Sequence, residues 1–346
     1  MKVLVTGAAG FIGSHVVDAL RGRGDEVIGL DSLDPQVHHR PPAYIRSDVD
    51  YCFVDLCHWR PDSRFDDLDA VVHLAALGGV ARAAREPANV IEANCGGTAR
   101  LAETARKWPR LKCIVLASSF SVYGGNYLYR CSDCSAVTNG NRKLGNLEKG
   151  IYEVICARCG GAAIIEPITE SASPSPLEVY GASKYMQELC FRGFSGPRVQ
   201  IFRFSSVYGP RLRLDDGEAT IIARLAGWIL SGERPKLLED GQQIRDWVYV
   251  GDVVAGILAV LAGAAAPPIV NLCSGVPTPL IGACLQIAKA VGVSCSPEVV
   301  GGFRQGDMRH CLGDCSKFGE LIGRSPITLS EGASLAFASP AHIAQN

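Results

Sequence analysis

Residues Met1–Gly13 read MKVLVTGAAGFIG, and this stretch decides the fold. Val3–Val5 is a short apolar run. It leads into Gly7-x-x-Gly10-x-x-Gly13, after which Ile12, Val16, Val17 and Leu20 recur at helical spacing. The pattern is a strand, a glycine turn and a helix N-terminus. Such a turn lets the backbone approach a pyrophosphate closely, and the helix end offers it free N–H groups and a positive dipole. Gly7, Gly10, Phe11, Ile12 and Gly13 are therefore the expected dinucleotide-binding residues. A second run, Glu26–Leu30, ends on Asp31. A carboxylate there accepts hydrogen bonds from the adenosine ribose hydroxyls and repels a 2′-phosphate, which selects NAD over NADP.

Outward from this turn, strand and helix patterns alternate. Val27–Leu30, Ala70–Leu74, Cys113–Ala117 and Val199–Phe204 read as strands, and Ala88–Lys107 and Tyr180–Phe191 as helices. The alternation predicts an α/β fold on a doubly wound parallel sheet, the Rossmann arrangement. Residues 1–198 read as the NAD-binding domain. Residues 199–333 read mainly as a smaller C-terminal α/β substrate lobe, with some segments returning to the sheet, and 334–346 as a tail. Residues 126–166 break the pattern with Asn-Gly and Lys-Gly turns and four cysteines, and read as an inserted module.

A chain of 346 residues can bury a large core. Its net charge of −1 gives no attraction for nucleic acid or an anionic membrane. Val253–Ala266 is apolar but too short to span a bilayer, and reads as a buried helix. No signal-peptide pattern is seen. Fourteen cysteines in a chain of this size then fit a reduced, cytoplasmic protein better than a disulfide scaffold.

Tyr180-Gly-Ala-Ser-Lys184 puts a phenol and an amine on one helix face. A phenol needs about 4 kcal/mol of help to act as a base at neutral pH, and a neighbouring ammonium and the nicotinamide charge can supply it. The run Ser118-Ser119-Phe120-Ser121-Val122-Tyr123-Gly124 follows a strand. Ligands in such sheets gather at the carboxyl ends of strands, so a Ser119 hydroxyl there can meet the reacting oxygen. Ser119, Tyr180 and Lys184 are the candidate catalytic residues.

With these motifs in place, the chain resembles the extended short-chain dehydrogenase/reductases, in their nucleotide-sugar epimerase/dehydratase branch. The resemblance covers nearly the whole chain outside the insert. It includes TGAAGFIG (6–13), Asp55-Leu56, HLAA (73–76), Asn94 with Gly97-Thr98, SSFSVYG (118–124) and YGASK (180–184). It continues through RFSSVYGPR (203–211), RDWVYVGD (245–252), NLCSG (271–275) and FRQGDMRH (303–310). The resemblance implies that Asp55 and Leu56 flank the adenine. Leu74, Ala75, Ala76 and Asn94 would line the cofactor, and Lys184 would bond its ribose. Ser119 and Tyr180 would face the sugar's reacting hydroxyl. Ser121, Ser206, Arg211, Arg245 and Arg304 would contact the substrate, with Arg245 and Arg304 on its diphosphate, a task that suits the bidentate, always charged guanidinium.

The family's 4,6-dehydratases carry Thr-Asp-Glu where this chain has Ser119-Phe120-Ser121, so the acid/base pair for that reaction is missing. The family's usual Asn is here Ser206. The pattern is closer to an NAD-dependent 4-epimerase of nucleotide sugars, acting through a 4-keto sugar. Decarboxylation, dehydrogenation or keto-reduction from the same C4 oxidation is the alternative, and a non-catalytic NAD-binding interaction protein is a third reading. Many relatives pair as homodimers through two helices, and Ala88–Lys107 and Tyr180–Phe191 suit that role.

Within the insert, Cys131-x-x-Cys134 and Cys156-x-x-Cys159 form two knuckles, the second followed by Gly160-Gly161. Four thiolates at this spacing predict a closed, structural, zinc-ribbon-like site. His38-His39 follow a proline-containing loop and read as solvated.

Overall fold

The computed structural model describes residues 1–214, 220–304 and 307–338. Seven parallel strands form the central sheet: β1 (Lys2–Thr6), β2 (Glu26–Asp31), β3 (Asp50–Phe53), β4 (Ala70–His73), β5 (Cys113–Ser119), β6 (Arg198–Phe204) and β7 (Ile269–Leu272). Their spatial order is β7-β6-β5-β4-β1-β2-β3. The order reverses between β1 and β4, which pair from Val3–Ala70 to Thr6–His73. In an open α/β sheet the crevice at such a reversal is where a dinucleotide lies.

The apolar runs are continuous because helices cover both sheet faces. Alternation along β1 assigns Val3 and Val5 to one core and Leu4 to the other, and all three are fully buried. The Val3/Val5 core includes Val16, Val17 and Leu20 from α1 (Phe11–Gly22), and Val253 and Ile257 from the helix Val250–Leu261. The Leu4 core includes Leu101 from α2 (Gly97–Ala105) and Phe191 from α3 (Val179–Phe191). The helix read over Ala88–Lys107 is interrupted. Pro87–Ile91 and α2 are joined by a π-helical turn, Glu92–Gly96, which turns Asn94 into the interior.

Beyond β6 the chain forms a third core around Trp247, with Ile222, Leu225, Ile287, Ala333 and Phe337. Short strands frame it: Ser206–Tyr208 beside Trp247–Tyr249, and Ile244–Arg245 against Thr278–Pro279. The helix Val250–Leu261 and strand β7, although late in the chain, belong to the central sheet layer. The tail read from residue 334 does not begin there. The helix Leu329–Phe337 is closed at its start by a Thr328–Glu331 capping box, and Ala336 and Phe337 are fully buried. The rest of that tail, 339–346, lies outside the described residues.

The insert is a three-stranded antiparallel sheet, with Leu128–Cys131 between Val137–Asn139 and Ala163–Ile165. Tyr127, Tyr129, Val154 and Ile165 share an apolar cluster with Phe120, Ile168 and Leu312, so the insert packs directly on the rest of the protein.

Candidate active site

The glycine turn folds as its spacing predicts. Gly7 has φ 70°, and a Cβ there would meet the Ala75 nitrogen at 2.9 Å. A Cβ on Gly13 would strike the Gly7 carbonyl. Both positions therefore require glycine, and the result is a backbone cradle against the start of α1. The N-cap of that helix is Gly10, which brings no side-chain cap, and the N-terminal dipole faces the cradle. The residues present fit a dinucleotide.

Asp31 closes the same crevice at the end of β2. Its Oδ2 accepts from the Ala9 N–H and its Oδ1 from the Leu33 N–H, each at 2.9 Å. His38 is not solvated as its loop suggested. Its Nε2 lies 4.0 Å from Asp31, and burial pushes its pKa down. Leu74 and Ala75 follow β4 and are tied to β1, the Leu74 N–H by the Thr6 carbonyl and the Ala75 N–H by the Thr6 hydroxyl. Ala76 beyond them is exposed. Asp55 is exposed and caps its own turn through the Cys57 N–H, while Leu56 is buried against Gly97.

Asn94 lies behind the segment that follows β4. Its side chain is fully buried. Its Oδ1 accepts from the Leu77 N–H, and its Nδ2 donates to the Leu77 carbonyl and the Ser183 hydroxyl. The amide thus ties the segment after β4 to α3.

At the end of β5, Ser119 starts a 3-10 turn whose Ser121 N–H donates to the Ser119 Oγ at 3.1 Å. Across from it, α3 is capped by Glu178, whose carboxylate accepts from the Tyr180 and Gly181 N–H groups. The Ser121 carbonyl sits so close to Gly181 that a side chain there would not fit. This contact brings Ser119 to the Tyr180 phenol. Burial pushes that phenol up to about 12, opposed by the Ser119 hydroxyl. Burial also brings Lys184 down to about 7, opposed by the Glu188 carboxylate and by Cys95. In the protein without cofactor, desolvation outweighs the Ser119 hydrogen bond, so the phenol is held above its ordinary value.

Residues missed in the sequence hold this centre. Glu188, one turn beyond Lys184, pairs in the interior with Arg203 at 2.8 Å and accepts from the Ser118 hydroxyl at 2.6 Å. The Arg203 guanidinium lies over the Tyr123 ring, and the Tyr123 hydroxyl donates to Asn271. His73, within the HLAA motif, bridges Thr6 and Thr98 through its two ring nitrogens. Burial lowers its pKa to about 3, so it stays neutral.

The expected substrate residues separate into two groups. Arg211 does not join the others. It pairs with Asp18 of α1 at 2.6 Å and stacks over Tyr44. The proline-containing turn Tyr208–Arg211 gives it a φ of 66° and aims it at the cofactor half. Ser206 instead pairs beside Trp247, and its N–H donates to the Asp246 carbonyl. The neighbouring Arg245 is half-buried, and its guanidinium donates to the carbonyls of Ile244, Met308 and Arg309. Arg304 is exposed, just ahead of residues 305–306 outside the described set. Asp246, buried between the Ser274, Gly275 and Gly313 N–H groups, locks these loops together; burial pushes its carboxyl up to about 6.

In the insert, the sulfurs of Cys131, Cys134, Cys156 and Cys159 lie within 4.8 Å of one another. Cys131–Cys159 and Cys134–Cys156 are 3.4 and 3.7 Å apart. Four sulfurs bound to one zinc would be separated by about 3.8 Å, given Zn–S bonds of about 2.3 Å. The two knuckles repeat one turn, with Ser135 N–H on the Cys131 carbonyl and Gly160 N–H on the Cys156 carbonyl. The N–H groups of Cys159 and Arg158 bring the Cys156 thiol down to about 7. The donor set fits a thiophilic metal.

Known proteins agree with this geometry. Residues 3–141 and 150–273 match the sequence model of the NAD dependent epimerase/dehydratase family. The dTDP-L-rhamnose 4-epimerase of Burkholderia thailandensis is 30% identical over 341 residues, covering 94% of this chain and 90% of its own. UDP-glucose 4-epimerase of Thermotoga maritima, solved with UDP-glucose, superposes with a TM-score of 0.75 at 27% identity, covering 100% of this chain and 99% of its own. That of Thermus thermophilus, solved with NAD, gives 0.72 at 27% identity, covering 97% and 98%. With the family match extending over most of its length and the glycine cradle and Ser119–Tyr180 pair in place, this chain belongs to the NAD dependent epimerase/dehydratase family.

Proposed function

We propose that this protein is an NAD-dependent nucleotide-sugar 4-epimerase. The observation that carries the reading is the pairing of Ser119, at the carboxyl end of β5, with Tyr180, on a helix that also bears Lys184, at the carboxyl edge of the parallel sheet that carries the glycine cradle. NAD, when bound in that cradle, supplies a reversible hydride acceptor for C4 and a positive ring near the phenol. Tyr180 takes the proton of the C4 hydroxyl and later returns it. Ser119 hydrogen-bonds the same oxygen as its charge grows, and keeps Tyr180 aimed at it. Lys184 favours the phenolate and bonds the cofactor ribose. Between the two hydride steps the 4-keto sugar presents its other face, while Arg245 and Arg304 hold the diphosphate. The buried Glu188–Arg203 pair and Asn94 keep this geometry rigid.

The four-cysteine centre would hold one structural zinc, having four sulfurs and no fifth donor among the described residues. The helices Pro87–Ile91 and α3 leave Ile91 and Met186 exposed, which supports a homodimer formed through this face. Fourteen unlinked thiols support a reducing, cytoplasmic setting. No described helix is long and apolar enough to cross a membrane.

The test is incubation of the purified protein with UDP-glucose, UDP-glucuronate and dTDP-L-rhamnose, with no added nucleotide cofactor, and products resolved by NMR. Conversion at C4 without net cofactor consumption is the expected result. Carbon dioxide release, or turnover only with added NAD or NADH, would point to another C4-oxidation reaction. No reaction with protein that retains NAD would overturn the reading.

A further inference from the structure

Five charged side chains and one histidine bridge the cysteine module and the C-terminal lobe. The module contributes Arg142 and Glu153. The lobe contributes Glu239, Asp240, Arg309 and His310. Arg309 is the hub, with a side chain that is fully buried. It donates to Glu239 at 2.7 Å, to both oxygens of Asp240 at 2.8 Å and to Glu153. A guanidinium so enclosed requires carboxylates around it, since burying an uncompensated charge is costly. Glu153 also meets the His310 Nε2 at 3.0 Å. The Ile244 N–H occupies the other ring nitrogen at 2.9 Å, so Nε2 carries the proton and donates to Glu153. From the module's other side, Arg142 donates to Glu239 and to the Asp307 carbonyl, both at 2.7 Å.

These contacts fix the strap 307–310 at both ends. The strap in turn sets Arg245, whose guanidinium donates to the carbonyls of Met308 and Arg309. The same strap and the module residues Tyr129, Asn141 and Arg142 wall a cavity of about 320 Å³ that reaches Gly124, a few residues beyond Ser119. Glu153 lies in the segment that leads directly into the Cys156 knuckle. With that knuckle held by metal, the segment and its carboxylate are fixed relative to the strap.

We propose that the cysteine module braces the substrate site: Glu153 and Arg142 hold the strap 307–310, and through it orient Arg245 for the nucleotide diphosphate. Glu153 is a positioning residue, acting through Arg309 and His310. The inference rests on the reading of Arg245 as a diphosphate ligand. Metal loading should then govern nucleotide-sugar affinity and leave NAD affinity unchanged, because the glycine cradle shares no residue with this network.

The experiment uses the full-length protein with its metal and NAD, titrated calorimetrically with UDP and with dTDP, followed by the tighter binder. Four proteins are compared: the native chain, Glu153→Gln, Arg245→Met and the double variant. Glu153→Gln should weaken nucleoside diphosphate binding about tenfold, raise KM similarly and leave kcat, bound NAD and zinc content unchanged. Arg245→Met should weaken binding further, and adding Glu153→Gln to it should have little more effect, because the brace acts through Arg245. Additive losses in the double variant would overturn the proposal, since a general structural defect adds independently. Weakening by Arg245→Met but not by Glu153→Gln would overturn the brace and leave the diphosphate reading intact. No weakening in either would overturn both. If Glu153→Gln does not fold or loses zinc, Arg142→Gln asks the same question from the other side, with the same expected loss and the same overturning result.

Discussion

The Asn94 amide donates to the Ser183 hydroxyl at 2.9 Å, and this one bond joins the cofactor wall after β4 to the helix that carries Tyr180 and Lys184. Ser183 passes the link on by donating to the Tyr180 carbonyl at 2.8 Å. The groups that would meet NAD and the groups that would meet the sugar are thus parts of one rigid assembly. Effective proton and hydride transfer depends on such mutual placement, where errors near 1 Å cost about two orders of magnitude in rate.

Removing the Tyr180 hydroxyl tests the base. Tyr180→Phe keeps the ring that fills the buried site, so folding and NAD content should be unchanged while turnover falls by about 10²–10⁴-fold. Near-normal turnover would remove Tyr180 from the mechanism. Lys184→Met should additionally weaken NAD binding, measured by cofactor retained after gel filtration.

Asp31 offers a test of cofactor choice. The carboxylate also anchors the Ala9 N–H, so truncation would loosen the cradle as well as remove charge. Asp31→Asn keeps an acceptor and removes the charge. NADP binding should then strengthen relative to NAD by about tenfold or more, read by fluorescence titration of the stripped protein. Native protein that prefers NADP would contradict the assignment.

The four cysteines predict metal stoichiometry. Protein purified without chelator should contain about one zinc per chain, with Zn–S distances near 2.3 Å by X-ray absorption. Cys156→Ser should lose the metal and increase hydrogen exchange across residues 126–166, because so small a module has little apolar surface of its own. The central sheet should keep its protection, since its two cores draw nothing from the insert. Metal-free native protein would refute this.

His73 predicts an acid limit to stability. Its pKa is lowered by burial to about 3, against 6.5 when exposed. Below pH 6.5 the unfolded chain takes up a proton that the folded chain refuses. The native state therefore loses stability as pH falls from 6.5 toward 3, by up to about 1.4 kcal/mol per pH unit from this group. Above pH 6.5 the contribution is flat. His73→Gln should reduce the slope of urea-derived stability against pH over that window, at some loss of stability from the Thr6 and Thr98 contacts. An unchanged slope would show that His73 is not the group responsible.

The glycine turn, the strands and the Tyr180 helix were legible in the chain because they follow from local chemistry. Gly7 and Gly13 are demanded by a backbone approach within a few residues of one another, and the apolar run at Val3–Val5 marks a strand covered on both faces. The two CxxC knuckles were legible for the same reason, each being a tight turn written in consecutive residues. What the tertiary structure decided is the use of side chains whose partners lie far along the chain. The Asp18 partner of Arg211 comes from α1, nearly two hundred residues away in the chain. That Asn94 is buried between Leu77 and Ser183 by a π-helical turn is not written in its neighbours along the chain. In the motif FRQGDMRH, Arg304 and Arg309 are indistinguishable by type, yet one is exposed and the other fully buried among Glu153, Glu239 and Asp240. The ionisation of Tyr180 and Lys184 belongs to the same class. Sequence spacing places the two groups together, but the solvent removed around them sets their charge, and that depends on every element that packs over the site.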